Sequence, residues 1–223
     1  MQILELMKER HSVRKYKPVP LPEDVVDVLE RRIGEINSES GLDVRLVLDD
    51  PKSFSVLGTR LTGFSNVPAY IAMVGSESED LNEKVGYHGE QLVILAQSLG
   101  LNSCWAAMCS KRHVSQHLGE GQRMVIGIAI GYGAEQGRPH RNKPIEKLAD
   151  MDGAPEWFRR GMDCVLLAPS GLNRQPFHFS LKEGKVLATC KGEGMARIDL
   201  GIARYHFEIG AGRENFIWDS ERT

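Results

Sequence analysis

The sequence has no large excess of charge of either sign and no long apolar run, and both absences limit what the protein can bind. Its 28 Lys and Arg residues against 30 Asp and Glu give a net charge of -2 over 223 residues. The overall field therefore does not attract nucleic acid or anionic lipid. The longest charge-free stretch, residues 91–110, is interrupted by polar residues and glycine, so no bilayer-spanning helix is expected. The charged first ten residues do not resemble a secretory signal.

Cysteine is also scarce. The four cysteines include no Cys-x-x-Cys pair, so the sequence does not indicate a disulfide framework, and we expect a reducing, cytoplasmic environment. Cys104 and Cys109 lie in an apolar stretch that is typical of buried cysteine. His113 and His117 are four residues apart on a predicted short helix, but no glutamate follows His113 and no third ligand is evident. We therefore predict no metal site.

What the sequence does contain is an alternation of helical and strand patterns, which predicts an α+β fold. Pro22 and Pro155 each precede apolar residues at helical spacing, and residues 124–130 have the apolar density of a buried strand. Residues 51–66 have no sustained period and are predicted to be a loop. The expected helices are 22–36, 84–99, 114–118, 155–167 and 196–209, and the expected strands are 43–49, 69–74, 124–130, 177–181, 186–189 and 216–218.

The spacing of several landmarks recurs along the chain, which indicates an internal duplication. The recurring intervals are 22 positions for Pro22 to Val44 and for Pro155 to Phe177, and 11 positions for Gly89 to Gly100 and for Gly201 to Gly212. We therefore predict two related halves, a larger one over residues 1–150 and a smaller one over residues 151–223.

Residues 10–16, Arg-His-Ser-Val-Arg-Lys-Tyr, place three cationic side chains around one serine. We call this segment the basic motif. Arginine offers two parallel donors and serine a short third one, so the motif suits a phosphate or another oxyanion. The alternative is a solvated basic patch.

Residues 168–177, Ala-Pro-Ser-Gly-Leu-Asn-Arg-Gln-Pro-Phe, pack small and amide residues between two prolines at the end of a predicted helix. This Pro-Ser turn would expose backbone and amide groups to a ligand, although an ordinary helix-to-strand turn has the same composition. Its serine is not a nucleophile elbow, because Ala168 and Leu172 stand where that motif needs glycine. The glycines of residues 131–137 do not match a dinucleotide-binding loop in spacing or context.

Together these segments resemble the FMN-dependent nitroreductase family. Four motifs of that family have counterparts spread over most of the chain. The motif Arg-x-Ser-x-Arg-x-aromatic is matched by Arg10, Ser12, Arg14 and Tyr16, and Ala-Pro-Ser-x-x-Asn-x-Gln-Pro-aromatic is matched by residues 168–177. Gly-Leu-x-x-Cys-Trp is matched by Gly100, Leu101, Cys104 and Trp105, and Gly-Tyr followed by a basic-Pro segment is matched by Gly131, Tyr132 and residues 141–144. The resemblance implies a mixed or antiparallel sheet flanked by helices.

The order of the motifs departs from that family, because the Ala-Pro-Ser motif lies in the second half of this chain instead of soon after the basic motif. Members of that family resemble one another in being homodimers, and their flavin lies between the subunits. The resemblance and the repeat therefore imply a divergent subgroup in which one chain is a pseudo-dimer and the second half supplies the Ala-Pro-Ser segment in cis. The assembly is then a monomer or a homodimer.

Carried over residue by residue, the resemblance implies a set of FMN contacts. Ribityl and phosphate groups would be held by Arg10, Ser12 and Arg14, with a backbone contact from His11 and with Arg141 or Lys143 neutralising the phosphate. The isoalloxazine would be lined by Pro169, Ser170 and Asn173, and the backbone around Trp105, Ala106 and Ala107 would face its N5 and O4.

The resemblance also implies an oxidoreductase in which FMN takes a hydride from NAD(P)H and passes electrons to a nitro or quinone-type small molecule, with ping-pong kinetics and no catalytic acid or base. Substrate choice is expected in loops such as residues 51–66. The alternatives are another FMN reaction, namely ene reduction, dehalogenation or dehydrogenation, and a non-catalytic flavin-binding protein.

Overall fold

The computed structural model describes residues 3–50, 52–139 and 141–219, and its chain forms two compact units from discontinuous segments. We name each unit by its sheet. The four-stranded unit comprises Arg10–Leu81 and Gln91–Pro139, and the three-stranded unit comprises Met1–Glu9, Asn82–Glu90 and His140–Thr223. Helix α4 (Leu81–Ser98) contributes residues to both units.

The sheet of the four-stranded unit is antiparallel, in the order β1-β2-β4-β3. Its strands and the helices of this unit other than α4 are β1 (Arg45–Leu48), β2 (Ala69–Ser76), β3 (Asn102–Ala106), β4 (Gln122–Gly131), α2 (Glu23–Ser40), α3 (Leu57–Leu61) and α5 (Arg112–Ser115). The two central strands are buried over almost their whole length. This burial on both faces explains why they are apolar runs without alternation.

Helix α2 follows directly from local sequence signals. Pro22 stands at its N-cap in an extended conformation, and the buried positions recur every three or four residues: Val25, Leu29, Ile33 and Ile36. Gly41 ends the helix in the left-handed region (φ 71°), where its N–H donates to the Asn37 carbonyl at 3.0 Å.

The three-stranded unit combines an antiparallel hairpin with one parallel strand, in the order β5-β6-β7. Its elements besides α4 are α1 (Ile3–Glu9), α6 (Glu156–Val165), β5 (Phe177–Lys182), β6 (Lys185–Cys190), α7 (Met195–Ala211) and β7 (Ile217–Trp218). Glu183 and Gly184 both have positive φ (51° and 78°), as a two-residue hairpin turn requires. Aromatic rings fill the core, and Phe207 stacks on Phe179 with ring centroids 5.2 Å apart.

Helices α4 and α7 approach each other closely at two glycines. A Cβ atom on Gly86 would lie 2.0 Å from the carbonyl oxygen of Ile198, and a Cβ atom on Gly201 would lie 2.0 Å from that of Glu83. Only glycine permits such a backbone approach. The contact is reciprocal, because each glycine meets the residue that lies three positions before the other glycine.

The α+β class with antiparallel pairing and flanking helices is confirmed. Three elements were not predicted: α1, strand β3 and helix α3, which lies within the expected loop 51–66. All four cysteines are free thiols. In the described parts of the chain, no helix combines the length and the apolar character of a membrane span. The two halves over residues 1–150 and 151–223, and the duplication that relates them, stay a prediction.

Candidate functional site

The basic motif runs beside strand β3 in the four-stranded unit. Ser12 bridges Ser103 in parallel orientation, and the Val13 N–H donates to the Ser103 carbonyl at 3.0 Å. Further along, the Tyr16 N–H donates to the Ser65 carbonyl at 3.1 Å. Backbone hydrogen bonds to two separate segments thus fix the path of the motif without help from its functional side chains.

Burial within the basic motif separates anchoring side chains from ligand-facing ones. Val13 and Tyr16 are buried, whereas Ser12 and Arg14 are exposed. The Tyr16 hydroxyl donates to the Val13 carbonyl at 2.6 Å, and burial holds the pKa of that hydroxyl well above its ordinary value. Tyr16 is therefore a neutral anchor, and the exposed side chains remain accessible to a ligand.

Three side chains of the motif influence the thiol of Cys104, the middle residue of β3. Burial raises the pKa of this thiol, while the charges of Arg14 and Arg10 and hydrogen bonds from Ser12 and Arg14 lower it. Arg10 itself is buried, at 4% exposed. A neutral thiol does not cancel the charge of the two guanidinium groups, so the donor set suits a phosphate with neighbouring hydroxyls.

The segment predicted to face a flavin ring follows directly on the same strand. Trp105 and Ala106 end β3, with Ala106 buried, and Ala107 is exposed in the turn that follows. His11 is partly buried and packs against the loop after β4, since a Cβ atom on Gly137 would lie 2.3 Å from the His11 Cβ. Strand β3 therefore links the basic motif to the ring-facing segment.

Helix α3 and Met108 present apolar side chains to solvent in the same unit. Leu57 and Leu61 are 72% and 76% exposed, and Met108, the residue after Ala107, is 55% exposed. A Cβ atom on Gly58 would lie 2.9 Å from the Met108 Cε, so Met108 packs on this helix. These three side chains form an exposed apolar patch in the region where substrate choice is expected.

The Pro-Ser turn belongs to the three-stranded unit and has a strained backbone. It contains the 3-10 turn Gly171–Asn173, and three of its non-glycine residues have positive φ: Leu172 (52°), Asn173 (55°) and Gln175 (41°). Such conformations persist only where the surroundings impose them. Leu172 is 84% exposed, so the side chains that hold the turn must come from its neighbours.

Gln175 binds the Pro-Ser turn to residues 141–143, which we call the basic segment. The Lys143 N–H donates to Gln175 Oε1 at 2.8 Å, and Gln175 Nε2 donates to Asn142 Oδ1 at 3.3 Å. The Lys143 ammonium donates to the Gln175 carbonyl at 3.0 Å, and the Asn173 amide donates to the Arg141 carbonyl at 2.6 Å. The structure thus brings Asn173, Arg141 and Lys143 together. Gln175, which is only 2% exposed, was not predicted as a site residue although the quoted motif contains it.

The other end of the turn is held by Ser170 and Asp199. The Gln175 N–H donates to Ser170 Oγ at 3.0 Å, and the Gly171 N–H donates to the two carboxylate oxygens of Asp199 at 2.9 and 3.1 Å. Burial raises the pKa of Asp199 to about 6, against the lowering effect of the Gly171 hydrogen bond. Pro169 is partly buried. No local signal points to Asp199, because it lies 28 residues from Gly171 on helix α7.

The two neighbouring histidines do not form a metal site with a third residue. The His113 and His117 rings lie 5.9 Å apart between centroids, and both side chains are exposed. Across residues 3–50, 52–139 and 141–219, no group of three or more His, Cys, Asp or Glu side chains is placed to hold a metal ion.

Comparison with solved structures identifies the fold. Over its whole length the chain matches 90% of a "putative nitroreductase" from Thermotoga maritima, with a TM-score of 0.72 and 24% identity. The match to an FMN-dependent nitroreductase from Clostridium difficile covers 61% of this chain and 90% of that protein, with a TM-score of 0.50 and 20% identity. An NAD(P)H:FMN oxidoreductase from Staphylococcus epidermidis matches 67% of this chain over 95% of its own, with a TM-score of 0.53 and 15% identity.

The family assignment comes from the sequence. A search of curated proteins gives no significant match. The model of the family described as "Putative TM nitroreductase" matches residues 2–211, nearly the whole chain. The chain therefore belongs to this nitroreductase family and is an oxidoreductase.

Proposed function

We propose that the protein is an FMN-dependent oxidoreductase that uses NAD(P)H to reduce nitro or quinone-type small molecules. The observation that carries this proposal is the position of the basic motif beside β3, where Ser12 bridges Ser103 and the side chains of Ser12 and Arg14 are exposed. The same strand continues into the predicted ring-facing segment. Family membership supports redox chemistry. The relatives from C. difficile and S. epidermidis are named for FMN, which supports this cofactor.

The phosphate and ribityl groups of FMN match the donors of the basic motif. Arg14 and Ser12 are exposed at the edge of β3, so both are accessible to a phosphate that needs several donors. In the described residues after β4, no α-helix begins before α6, so Gly131 and Gly133 are not followed by the helix of a dinucleotide fold. These features favour FMN over FAD.

The Pro-Ser turn supplies the groups proposed to line the flavin ring. Pro169, Ser170 and Asn173 sit in a backbone held by hydrogen bonds, and the Asn173 amide is fixed by the Arg141 carbonyl. Of the two cations proposed to neutralise the phosphate, Arg141 is favoured, because the Lys143 ammonium donates to the Gln175 carbonyl. His11 is proposed to add a backbone contact.

FMN, when bound, supplies the hydride chemistry between NAD(P)H and the acceptor. The chain binds the phosphate through Arg10, Ser12 and Arg14 and presents main-chain N–H groups of residues 105–107 to the ring, so no side-chain acid or base is invoked. Met108 follows Ala107 in sequence and packs on α3. The exposed apolar side chains of Leu57, Leu61 and Met108 favour flat apolar acceptors, such as nitroaromatics and quinones. One shared binding face for donor and acceptor gives a ping-pong mechanism.

Steady-state kinetics of the FMN-loaded protein test this proposal. Initial rates with NADH or NADPH and a nitroaromatic or quinone should give parallel double-reciprocal lines. Calorimetric titration of the flavin-free protein should show tighter binding of FMN than of FAD. The proposal would be contradicted if the protein showed no turnover with either NADH or NADPH, or if it bound FAD as tightly as FMN.

We also propose that, through an internal duplication, one chain resembles the homodimer that the resemblance to the FMN-dependent nitroreductase family implies. The equal intervals that begin at Pro22 and Pro155 and at Gly89 and Gly201 support this. The matches to the relatives from C. difficile and S. epidermidis cover 90% and 95% of those chains but only 61% and 67% of this chain. This difference supports the presence of an additional segment in this chain.

A mixing experiment tests the duplication. One variant lacks the Arg10 and Arg14 side chains and the other is changed at Ser170 and Asn173, and both are combined under conditions that allow subunit exchange. If a single chain supplies both motifs to its site, every molecule carries a damaged site and mixing restores no FMN binding. Recovery of binding on mixing would show that two chains share the motifs and would overturn the proposal.

A further inference from the structure

Helix α7 places one carboxylate against the start of the Pro-Ser turn. Asp199 is 3% exposed, and its two oxygens accept the Gly171 N–H at 2.9 and 3.1 Å. Both residues belong to the three-stranded unit. A core position of α7 is thus occupied by a charged group, although its helical neighbours Ile198 and Leu200 are buried and apolar.

The turn needs an anchor at this point. Gly171 directly precedes Leu172 and Asn173, whose positive φ values cost free energy in non-glycine residues. At the other end, Gln175 is fixed by the basic segment and by Ser170. Asp199 therefore completes the set of bonds that keep the turn in its strained shape.

This anchor costs the fold stability. Burial raises the pKa of Asp199 to about 6, so at neutral pH the protein keeps an ionised carboxylate in an environment that disfavours it. Such groups mark functional sites more often than chance. The charged groups near this part of α7 are Arg197, Glu193 and Glu83, and Glu83 of α4 pairs with Arg204. With burial as the largest cause, the pKa of the Cys190 thiol of β6 is raised; Arg197 lowers it, whereas Glu193, Glu83 and Asp199 raise it.

We propose that Asp199 is a positioning residue of the flavin site: its carboxylate holds the Gly171 amide and thereby sets Ser170 and Asn173 for the ligand. This inference rests on the proposed FMN function. It goes beyond that function because it assigns a role to a residue that binds the turn from an element outside the four motifs.

The role has a pH dependence whose sign differs for binding and folding. An ionised carboxylate accepts a stronger hydrogen bond than a protonated one, so flavin binding is strongest above pH 6 and weakens as the pH falls through about 6. Folding behaves in the opposite way: because the pKa is raised in the folded state, the stabilising contribution of Asp199 is present below about pH 4 and is lost as the pH rises through about 6. A purely structural role would change stability alone.

The test compares wild-type protein with Asp199→Asn, which keeps an acceptor oxygen and removes the charge. FMN dissociation constants are measured from pH 5 to pH 8, and riboflavin serves as a second probe because the phosphate of FMN itself titrates near pH 6. At pH 8 the variant should bind both flavins about tenfold more weakly, as expected for the loss of a charge-assisted hydrogen bond. With riboflavin, its affinity should not vary with pH, whereas that of the wild type should fall below pH 6. Asp163→Asn, a change at an exposed position of α6, is the control and should follow the wild type.

A second measurement separates positioning from misfolding. Asp199→Asn removes the buried charge, so the urea midpoint of the flavin-free variant at pH 8 should be no lower than that of the wild type, although its flavin binding is weaker.

The outcomes distinguish this inference from the function on which it rests. Wild-type protein that binds no flavin at pH 8 would overturn the FMN function and the role of Asp199 with it. Wild-type binding together with an unchanged affinity and pH profile in Asp199→Asn would overturn the positioning role alone. A loss of affinity at pH 8 that is matched by a lower unfolding midpoint of Asp199→Asn would likewise contradict it.

Discussion

The basic motif and the Pro-Ser turn are held by different kinds of bonds. In the four-stranded unit, backbone hydrogen bonds and the buried residues Val13 and Tyr16 fix the motif. In the three-stranded unit, the turn depends on the side chains of Gln175, Ser170 and Asp199. A backbone-held segment should keep its shape when exposed side chains are changed. A side-chain-held turn should lose its shape with single substitutions.

Both units bury polar side chains beside their apolar cores. In the three-stranded unit these include the pair Glu90 and His206 between α4 and α7. Both side chains are 0% exposed; His206 Nε2 lies 3.0 Å from Glu90 Oε1, and Nδ1 lies 3.0 Å from the Cys164 carbonyl. Because that carbonyl can only accept, Nδ1 carries the proton and donates it.

The largest stability effect is therefore expected at this pair. His206→Leu removes both hydrogen bonds and leaves Glu90 buried without its histidine partner, which should lower the free energy of unfolding by about 3 to 5 kcal/mol. Urea unfolding monitored by circular dichroism measures the change. The control Tyr16→Phe deletes one backbone-directed hydrogen bond in the four-stranded unit and should cost about 1 kcal/mol. Equal losses for the two variants would contradict the comparison.

Arg14→Ala tests the backbone-held segment. Arg14 is exposed and the path of the motif does not depend on it, so FMN affinity should fall by about 1.5 to 3 kcal/mol while the midpoint of unfolding stays unchanged. Calorimetry with FMN measures the affinity, and Lys17→Ala, a change to an exposed cation beyond the motif, serves as control. An affinity equal to that of the wild type would remove Arg14 from the site.

Gln175→Ala tests the side-chain-held turn. The substitution leaves the part-buried Lys143 N–H without its acceptor and separates the turn from the basic segment, so stability should fall by about 1 kcal/mol and FMN affinity should fall with it. This joint loss distinguishes Gln175 from Arg14. Lost stability with unchanged FMN affinity would show that the shape of the turn does not matter for binding.

The sequence predicted the elements whose signal is local. Pro22 and Gly41 bound α2, and the dense apolar runs of β2 and β4 identify central strands. Strand β3 was missed because its five residues mix polar and small side chains, and only pairing with β4 and Val13 makes them a strand. Helices α1 and α3 have seven and five residues, too short for a clear period.

The candidate site divides in the same way. Arg10, Ser12 and Arg14 are close in sequence, so their shared chemistry is visible before folding. Gln175 lies inside a recognised motif, but its role depends on a contact with Lys143, 32 residues away. Asp199 has no sequence signal, since only the packing of α7 brings it to Gly171.

The most direct test of the proposed oxidoreductase function is anaerobic stopped-flow mixing of the FMN-loaded protein with NADH or NADPH. We expect the flavin absorbance band to bleach with at least one nicotinamide, and a nitroaromatic or a quinone added afterwards to restore it. A band that persists with both nicotinamides would contradict the proposed oxidoreductase function and would favour a protein that only binds flavin.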